Sequence, residues 1–148
     1  MGRRQLSILN IGGHPKDAIL YAGGAMVNHI EAGDRVCILC PTSGLSHHIK
    51  AIAEYKSTMK MPDIDALTKE LGQELIDAAA ELGVTDVRFL GYDDSIPMGE
   101  REIIEDIADV IGDVLPDIII THNPNDSVPG HAVATQMTLL AMEAASGI

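Results

Sequence analysis

The sequence predicts an α/β fold in which a parallel sheet carries helices on both faces. Short apolar strand candidates alternate along the chain with longer segments whose apolar residues recur every three or four positions. Strands that are apolar on both faces are typical of buried parallel sheets, whose connections are helical. The 148 residues suit one domain, which we predict to span residues 1–148.

Each element is bounded by a recognisable stop. The predicted strands cover residues 5–11, 35–40, 87–90 and 117–121, and Gly12 and Gly13 end the first of them at a tight turn. The predicted helices cover residues 17–31, 64–82 and 100–115, and a last helix begins near His131. Gly33, Gly83 and Pro116 follow the first three helices, as expected for helix ends. Residues 46–62 show no period and predict an irregular segment.

The charge balance excludes several classes of partner. With 22 acidic and 10 basic residues the net charge is −12, which argues against nucleic acid and anionic membranes as partners. No apolar run is long enough to cross a bilayer, so we expect a soluble, cytoplasmic protein. Neither the dinucleotide fingerprint nor the phosphate-binding P-loop motif occurs, which disfavours nucleotide binding.

Cys37 and Cys40 form a C-x-x-C pair inside an apolar run that ends at a proline. A redox motif needs its first cysteine at a helix N-terminus, and a zinc site needs a second pair of ligands. Three residues apart in a strand, the two side chains point to opposite faces. We therefore predict two buried thiols of the core.

The loops after the strands carry the candidate chemistry, because ligands of parallel sheets bind beyond the carboxyl ends of the strands. His14 and Asp17 lie in the first of these loops, and His131 follows the fourth. Two histidines and a carboxylate suit zinc in a catalytic site, which leaves one position open for water. If the first and fourth strands are neighbours, the three residues form one cluster. The alternative is a structural role for each, with Asp17 accepting backbone N–H groups at a helix start.

Four segments together resemble the LmbE/PIG-L family of N-deacetylases. Residues 10–44 are similar to the family's opening, which runs from a strand through His-Pro-Asp-Asp and a helix to a Thr-x-Gly turn. Residues 74–84 resemble its Glu-Leu…Leu-Gly-Val helix, 89–95 its acidic turn, and 115–126 its Thr-His-x-Pro segment. The resemblance covers about residues 6–140 and implies a three-layer, Rossmann-like fold. Relatives usually continue beyond the last ligand, so the chain is expected to be a short or truncated member.

The resemblance implies zinc, or another divalent metal, held by His14, Asp17 and His131. Lys16 stands at the position of the family's general base, and we carry it over as the candidate catalytic residue. Residues 128–130 replace the His-Pro-Asp that precedes the last ligand, and Leu71 falls where an Arg often stands. The acid/base and electrophilic groups of a deacetylase are therefore altered, while the metal ligands match.

The predicted substrate-binding residues are Ser43, Asp94, His122 and Asn123. His47 and His48 are further candidates for the pocket lining, although exposed loop histidines are more common. Lys16, with Arg4 or Lys50, is a candidate partner for substrate carboxylates.

Three functions follow as hypotheses, each with a small-molecule substrate. The first is zinc-dependent N-deacetylation of an acetylated amino sugar or a related small amide. The second is metal-dependent hydration of an unsaturated di- or tricarboxylate, as in the 4-oxalomesaconate hydratase branch of the superfamily, which also lacks the Asp that Lys16 replaces. The third is metabolite binding by a catalytically degenerate homologue. The resemblance also implies a homo-oligomer.

Overall fold

The computed structural model describes residues 2–45, 49–94 and 100–147. Nine helices and strands lie within these ranges. In chain order they are β1 (Ser7–Ile11), α1 (Asp17–Glu31), β2 (Arg35–Thr42), α2 (Ile49–Thr58), α3 (Ile64–Glu81), β3 (Asp86–Tyr92), α4 (Arg101–Val114), β4 (Ile118–Ile120) and α5 (Pro129–Ser146).

The four strands form one parallel sheet in the order β3-β2-β1-β4. Ile8 of β1 pairs with Val36 on one side and with Ile118 on the other. The chain therefore leaves β1 toward one edge of the sheet and later returns to the opposite side of β1. The loops after β1 and β4 diverge at this point, where sheets of this kind place their ligands.

Helices cover both faces of the sheet, which confirms the predicted three-layer α/β fold. The apolar side chains of β1 and β2 alternate between the two faces, so each face has its own core. The core under α1 and α3 comprises Ile8, Ala18, Met26, Val36, Ile38, Cys40, Leu75, Ala79 and Val84. The core under α4 and α5 comprises Leu9, Ile11, Cys37, Leu39, Ile103, Ile107, Ile111, Met137 and Ala141.

The two cysteines lie where the strand pattern predicts them. Both thiols are free and buried, Cys37 in the core under α4 and Cys40 in the core under α1. Burial raises the pKa of Cys37 to about 12 and raises the pKa of Cys40 as well. Neither side chain has the exposed, low-pKa character of a redox cysteine.

Helix α2 contradicts the expectation of an irregular segment. It occupies Ile49–Thr58, and only Ala51 is buried among its described side chains. Its apolar residues Ile49, Ile52 and Tyr55 recur every three positions but stay exposed, and a series this short shows no clear period in the sequence.

Several boundaries also differ from the prediction, since β1 begins only at Ser7 and β3 runs from Asp86 to Tyr92. Strand β2 runs on to Thr42, because the β2–β3 register shifts between Cys40 and Thr42 and so admits Pro41. Helix α5 begins at Pro129, two residues before His131, since proline suits the first position of a helix.

No helix among the described residues is both long and apolar enough to span a bilayer.

Candidate metal centre

Strand β1 delivers the first half of the candidate site. The chain turns at Gly12 and Gly13, and α1 begins at Asp17, whose side chain is 1% exposed. The His14 backbone N–H donates to Asp17 Oδ2 at 2.8 Å, and His14 Nδ1 lies 3.0 Å from the same oxygen. The three-residue spacing thus forms a tight loop in which the His14 imidazole lies against the Asp17 carboxylate.

Strand β4 and helix α5 deliver the second half. His131, in the first turn of α5, places Nε2 at 3.3 Å from Asp17 Oδ2. His122, just after β4, also places Nε2 at 3.3 Å from that oxygen. The His122 and His131 rings stack with centroids 3.9 Å apart. Three imidazoles from two distant parts of the chain therefore converge on one carboxylate oxygen.

The charge state of Asp17 reflects this crowding. Burial alone would raise its pKa, but the contacts with His122 and His14 outweigh burial and hold the pKa well below its usual range. Asp17 is an anion at neutral pH. Its other oxygen, Oδ1, is buried and has no hydrogen-bond partner among the described residues.

The donor set fits a divalent metal. His14, Asp17 and His131 each offer one ligand atom within 4.8 Å of the others, and His122, Asp126 and His131 form a second such group. Two imidazoles and a carboxylate are ligands that zinc accepts. Gly13 leaves space beside them, because a Cβ built there would lie 3.4 Å from Asp17 Oδ2 and 3.6 Å from His122 Nε2. The assignment of individual ligands stays a prediction.

Two further carboxylates lie against the imidazoles. Asp126 Oδ2 lies 3.2 Å from His131 Nδ1, and Asp94 Oδ2 lies 3.7 Å from His14 Nε2. The Val128 N–H and His131 hold the pKa of Asp126 below its ordinary value, although partial burial opposes them. A carboxylate behind a histidine commonly fixes the ring's tautomer and orientation at metal sites.

A cavity of about 450 Å³ opens beside the cluster. Its lining includes His14, Asp17 and His131, together with Lys16 and Glu74. Leu71 and Val128, two of the departures from the family motif, line it as well. A larger cavity of about 1010 Å³ lies between α2 and α3, but none of the clustered histidines lines it. We therefore take the cavity of about 450 Å³, which His14 and His131 line, as the candidate substrate cavity.

The predicted substrate residues divide between several places. Ser43 lines the larger cavity and donates to Asp94 Oδ1 at 3.4 Å. Asp94 is buried against His14 rather than facing the cavity of about 450 Å³. Asn123 shapes the loop after β4 by accepting the Asn125 N–H at 2.8 Å. His122 belongs to the imidazole cluster itself.

The expectation for Arg4 is wrong. Arg4 precedes β1 and donates to Asp117 Oδ1 at 2.7 Å, at the amino ends of the strands. The five residues of β1 separate it from the candidate site by about 16 Å, at about 3.3 Å per residue. His47, His48 and the Lys50 side chain lie outside the described residues.

The sequence interpretation missed the position of His122 within the cluster and the contact of Asp126 with His131. A signal was available, because both residues lie in the polar loop after β4 that leads directly to His131. The spacing alone could not say which loop residues turn inward.

The family comparison decides the relationship. The profile described as PIG-L, GlcNAc-PI de-N-acetylase, matches residues 9–142. The chain belongs to the PIG-L family. This result confirms the resemblance found in the four sequence segments. The PIG-L family match includes His14, Asp17, His122 and His131, the four residues of the cluster.

Two curated proteins similar to this chain are named for different activities. A 1D-myo-inositol 2-acetamido-2-deoxy-alpha-D-glucopyranoside deacetylase of Thermomonospora curvata is 31% identical, over 94% of this chain and 53% of its own length. A 4-oxalmesaconate hydratase of Pseudomonas putida is 27% identical, over 85% of this chain and 47% of its own length. The chain spans about half the length of the curated relatives it matches.

A solved structure shares the fold. The 4-carboxy-2-hydroxymuconate hydratase of Pseudomonas putida superposes with a TM-score of 0.79 at 23% identity. The match covers 93% of this chain and 55% of the hydratase chain. At this identity the likeness concerns the fold of the PIG-L domain.

Proposed function

We propose that this protein binds zinc, or another divalent metal, through His14, Asp17 and His131 and hydrolyses the N-acetyl group of an amino sugar or a related small amide. The observation that carries the proposal is the convergence of three imidazoles on Asp17 beside a cavity of about 450 Å³. Membership of the PIG-L family and the deacetylase relative from Thermomonospora curvata support it.

A divalent metal at this site supplies a Lewis acid that polarises the amide carbonyl and activates water. The chain itself must supply the proton transfers. Glu74 lines the same cavity as the proposed ligands and is placed to accept a proton there. His122 is the clustered imidazole outside the proposed ligand set, and the Gly13 N–H orients it by donating to Nε2 at 2.9 Å. Because His122 does not line the cavity of about 450 Å³, we assign it to orienting Asp17 within the cluster rather than to contact with the substrate.

Lys16 distinguishes this chain from the family's deacetylase motif. Its side chain is exposed and lines the cavity with His14 and His131. An ammonium group at the cavity wall favours substrates that carry a carboxylate. We therefore assign Lys16 to binding an anionic group of the substrate rather than to proton abstraction.

The first experiment tests the metal. Purified protein is expected to carry near-stoichiometric zinc by elemental analysis, and His14→Ala is expected to lose it. His29→Ala is the matched control, because His29 lies at the other end of α1 against Asp34 and should leave the zinc content unchanged. Fully stable, metal-free parent protein that takes up no added zinc would contradict the proposal.

The second experiment tests the residue roles. Glu74→Gln is expected to lower kcat by roughly 10²-fold or more with little change in KM. Lys16→Met is expected mainly to raise KM for substrates that carry a carboxylate. A Lys16→Met variant that loses kcat, beside a fully active Glu74→Gln variant, would assign proton transfer to Lys16 instead.

Hydration is the second candidate, and Lys16 is the observation that favours it. A cation replaces the carboxylate expected of a deacetylase, and an unsaturated di- or tricarboxylate would meet that cation directly. Parallel assays with N-acetylated amino sugars and with unsaturated tricarboxylates should give turnover in one class only. Binding without turnover in both classes would indicate a degenerate, metabolite-binding homologue.

The proposed cytoplasmic location and homo-oligomer also need direct measurement. Fractionation of the producing cell tests the first, and light scattering coupled to size-exclusion chromatography tests the second. A single monomeric peak across the working concentration range would remove the oligomer.

A further inference from the structure

Three buried oxygens have no hydrogen-bond partner among the described residues. They are Asn10 Oδ1, Asp17 Oδ1 and Thr121 Oγ1. Asn10 is 3% exposed near the carboxyl end of the inner strand β1, where every other residue of the strand is also buried. Buried polar groups in native proteins are almost always satisfied, so three in one region call for a physical cause.

All three residues line the same cavity. It measures about 190 Å³ and lies between β1, α1 and the loop after β4. His122 and Asp126 complete its polar wall, so the cavity lies directly behind the candidate metal centre. Asp17 meets the imidazoles through Oδ2, whereas Oδ1 has no hydrogen-bond partner among the described residues.

The chemistry of the three oxygens defines the ligand. An amide oxygen and an ionised carboxylate oxygen only accept hydrogen bonds, whereas a threonine hydroxyl both donates and accepts. Water supplies two donors and two acceptors, which matches this set. The cavity far exceeds the roughly 10–15 Å³ that one internal water needs.

We propose that the cavity of about 190 Å³ is a built site for ordered water, through which Asn10 and Thr121 hold Asp17 Oδ1 in place. Asn10 and Thr121 are then positioning residues for a carboxylate in contact with three imidazoles. Their influence on metal affinity rests on the proposed function, whereas hydration of the cavity does not.

High-resolution crystal structures, with and without zinc, test the hydration. We expect ordered waters within hydrogen-bond distance of Asn10 Oδ1, Thr121 Oγ1 and Asp17 Oδ1 in both. A dry cavity would overturn the proposal. So would a bound cation, recognised by density that changes when sodium is exchanged for potassium or thallium.

Variants of Thr121 test the positioning role. Thr121→Val removes the hydroxyl at constant shape and is expected to weaken zinc binding by roughly 10–100-fold, the usual effect of losing an outer-shell partner. Thr121→Ser restores the hydroxyl and should bind zinc within about threefold of the parent. Thr138→Val is the control, because the Thr138 hydroxyl is also enclosed in the fold but donates to Ala134 O. Equal affinities for the Val and Ser variants would overturn the positioning role.

Asn10→Leu tests whether Asn10 positions Asp17 or is only a buried polar group without a function. If Asn10 has no function, the Leu variant should have a higher Tm than the parent and the same zinc affinity. We expect weaker zinc binding instead, together with loss of the water nearest to position 10. If the parent binds no zinc, the metal proposal fails, and the metal-free structures of the parent and Thr121→Val then decide the hydration alone.

Discussion

Asp17 serves the helix and the candidate site at once. Its carboxylate accepts the His14 backbone N–H in the loop before α1, and the same oxygen meets three imidazoles. The structural role considered from the sequence, which is to accept N–H groups of the helix start, does not explain these contacts. One backbone hydrogen bond orients the side chain, and the long-range contacts decide what it faces.

Gly13 gives a test at a single residue. A Cβ at this position meets Asp17 Oδ2 and the His131 ring at ordinary contact distance, 3.4 Å, so Gly13→Ala should fold. The methyl group occupies the space beside the proposed ligands, and we expect at least about tenfold weaker zinc binding by titration calorimetry. Gly24→Ala is the control, since a Cβ there has nothing within 4 Å. Unchanged affinity in Gly13→Ala would place the metal elsewhere.

Asp34 predicts a pH dependence far from the metal site. The Arg3 guanidinium donates to Asp34 at 2.6 and 3.0 Å, His29 and the Leu6 N–H add further contacts, and these hold the pKa of Asp34 well below its usual range. A carboxyl whose pKa is lower in the folded state stabilises the fold above its unfolded pKa, about 3.9, and loses that effect as the pH falls.

Asp34→Asn should therefore lower the free energy of unfolding most at neutral pH. The difference from the parent should shrink between about pH 5 and pH 2, as measured by urea unfolding at each pH. Asp109→Asn, at an exposed position of α4, is the control. A difference that stays constant over this range would contradict the role of the Asp34 charge.

At the scale of elements, Gly33, Gly83 and Pro116 follow three of the helices, which is why these helix ends were predicted closely. Asp63 caps α3 by accepting the Ala66 N–H at 3.0 Å, and Leu115 ends α4 with a left-handed φ of 47° before Pro116. These signals are local, so the sequence carries them. The exposed helix α2 buries only Ala51 among its described side chains, and residues 46–62 show no clear period, so it was missed.

The Asp63 cap is testable by mutation. Asp63→Ala should lower the free energy of unfolding by about 1 kcal/mol, because one N–H of the first turn loses its acceptor. Asp63→Ser should recover most of the loss, since Ser is a comparable cap. Asp65→Ala removes only a first-turn charge and should cost about 0.3 kcal/mol in denaturant unfolding. Equal losses for Asp63→Ala and Asp65→Ala would show that charge, not capping, stabilises this end of α3.

At the scale of the whole molecule, the proposed metal ties the β1 side of the sheet to the β4 side. Ligand binding to the folded state alone adds about 2.7 kcal/mol of stability when free ligand is at 100 times its Kd. For a chain of this size that corresponds to a rise in Tm of roughly 5–10 °C.

Scanning calorimetry with zinc and with a chelator should show this rise in Tm for the parent. His14→Ala should show the same Tm in both conditions, because one proposed ligand is gone. A rise in Tm that survives in His14→Ala would indicate zinc binding to another part of the chain.

The sequence by itself determined the order of the elements, the parallel three-layer sheet, the burial of both cysteines and the placement of His14 and Asp17 on one turn. These features depend on periodicity, turns and close spacing, which are local properties. Only the tertiary structure decided that His122 stacks on His131 and that Asp126 contacts His131. It also decided that the cavity of about 190 Å³ is lined by three residues with a buried oxygen that has no hydrogen-bond partner among the described residues. The physical reason is the pairing of β1 with β4, which joins residues more than 100 positions apart, and no local pattern specifies which side chains meet there.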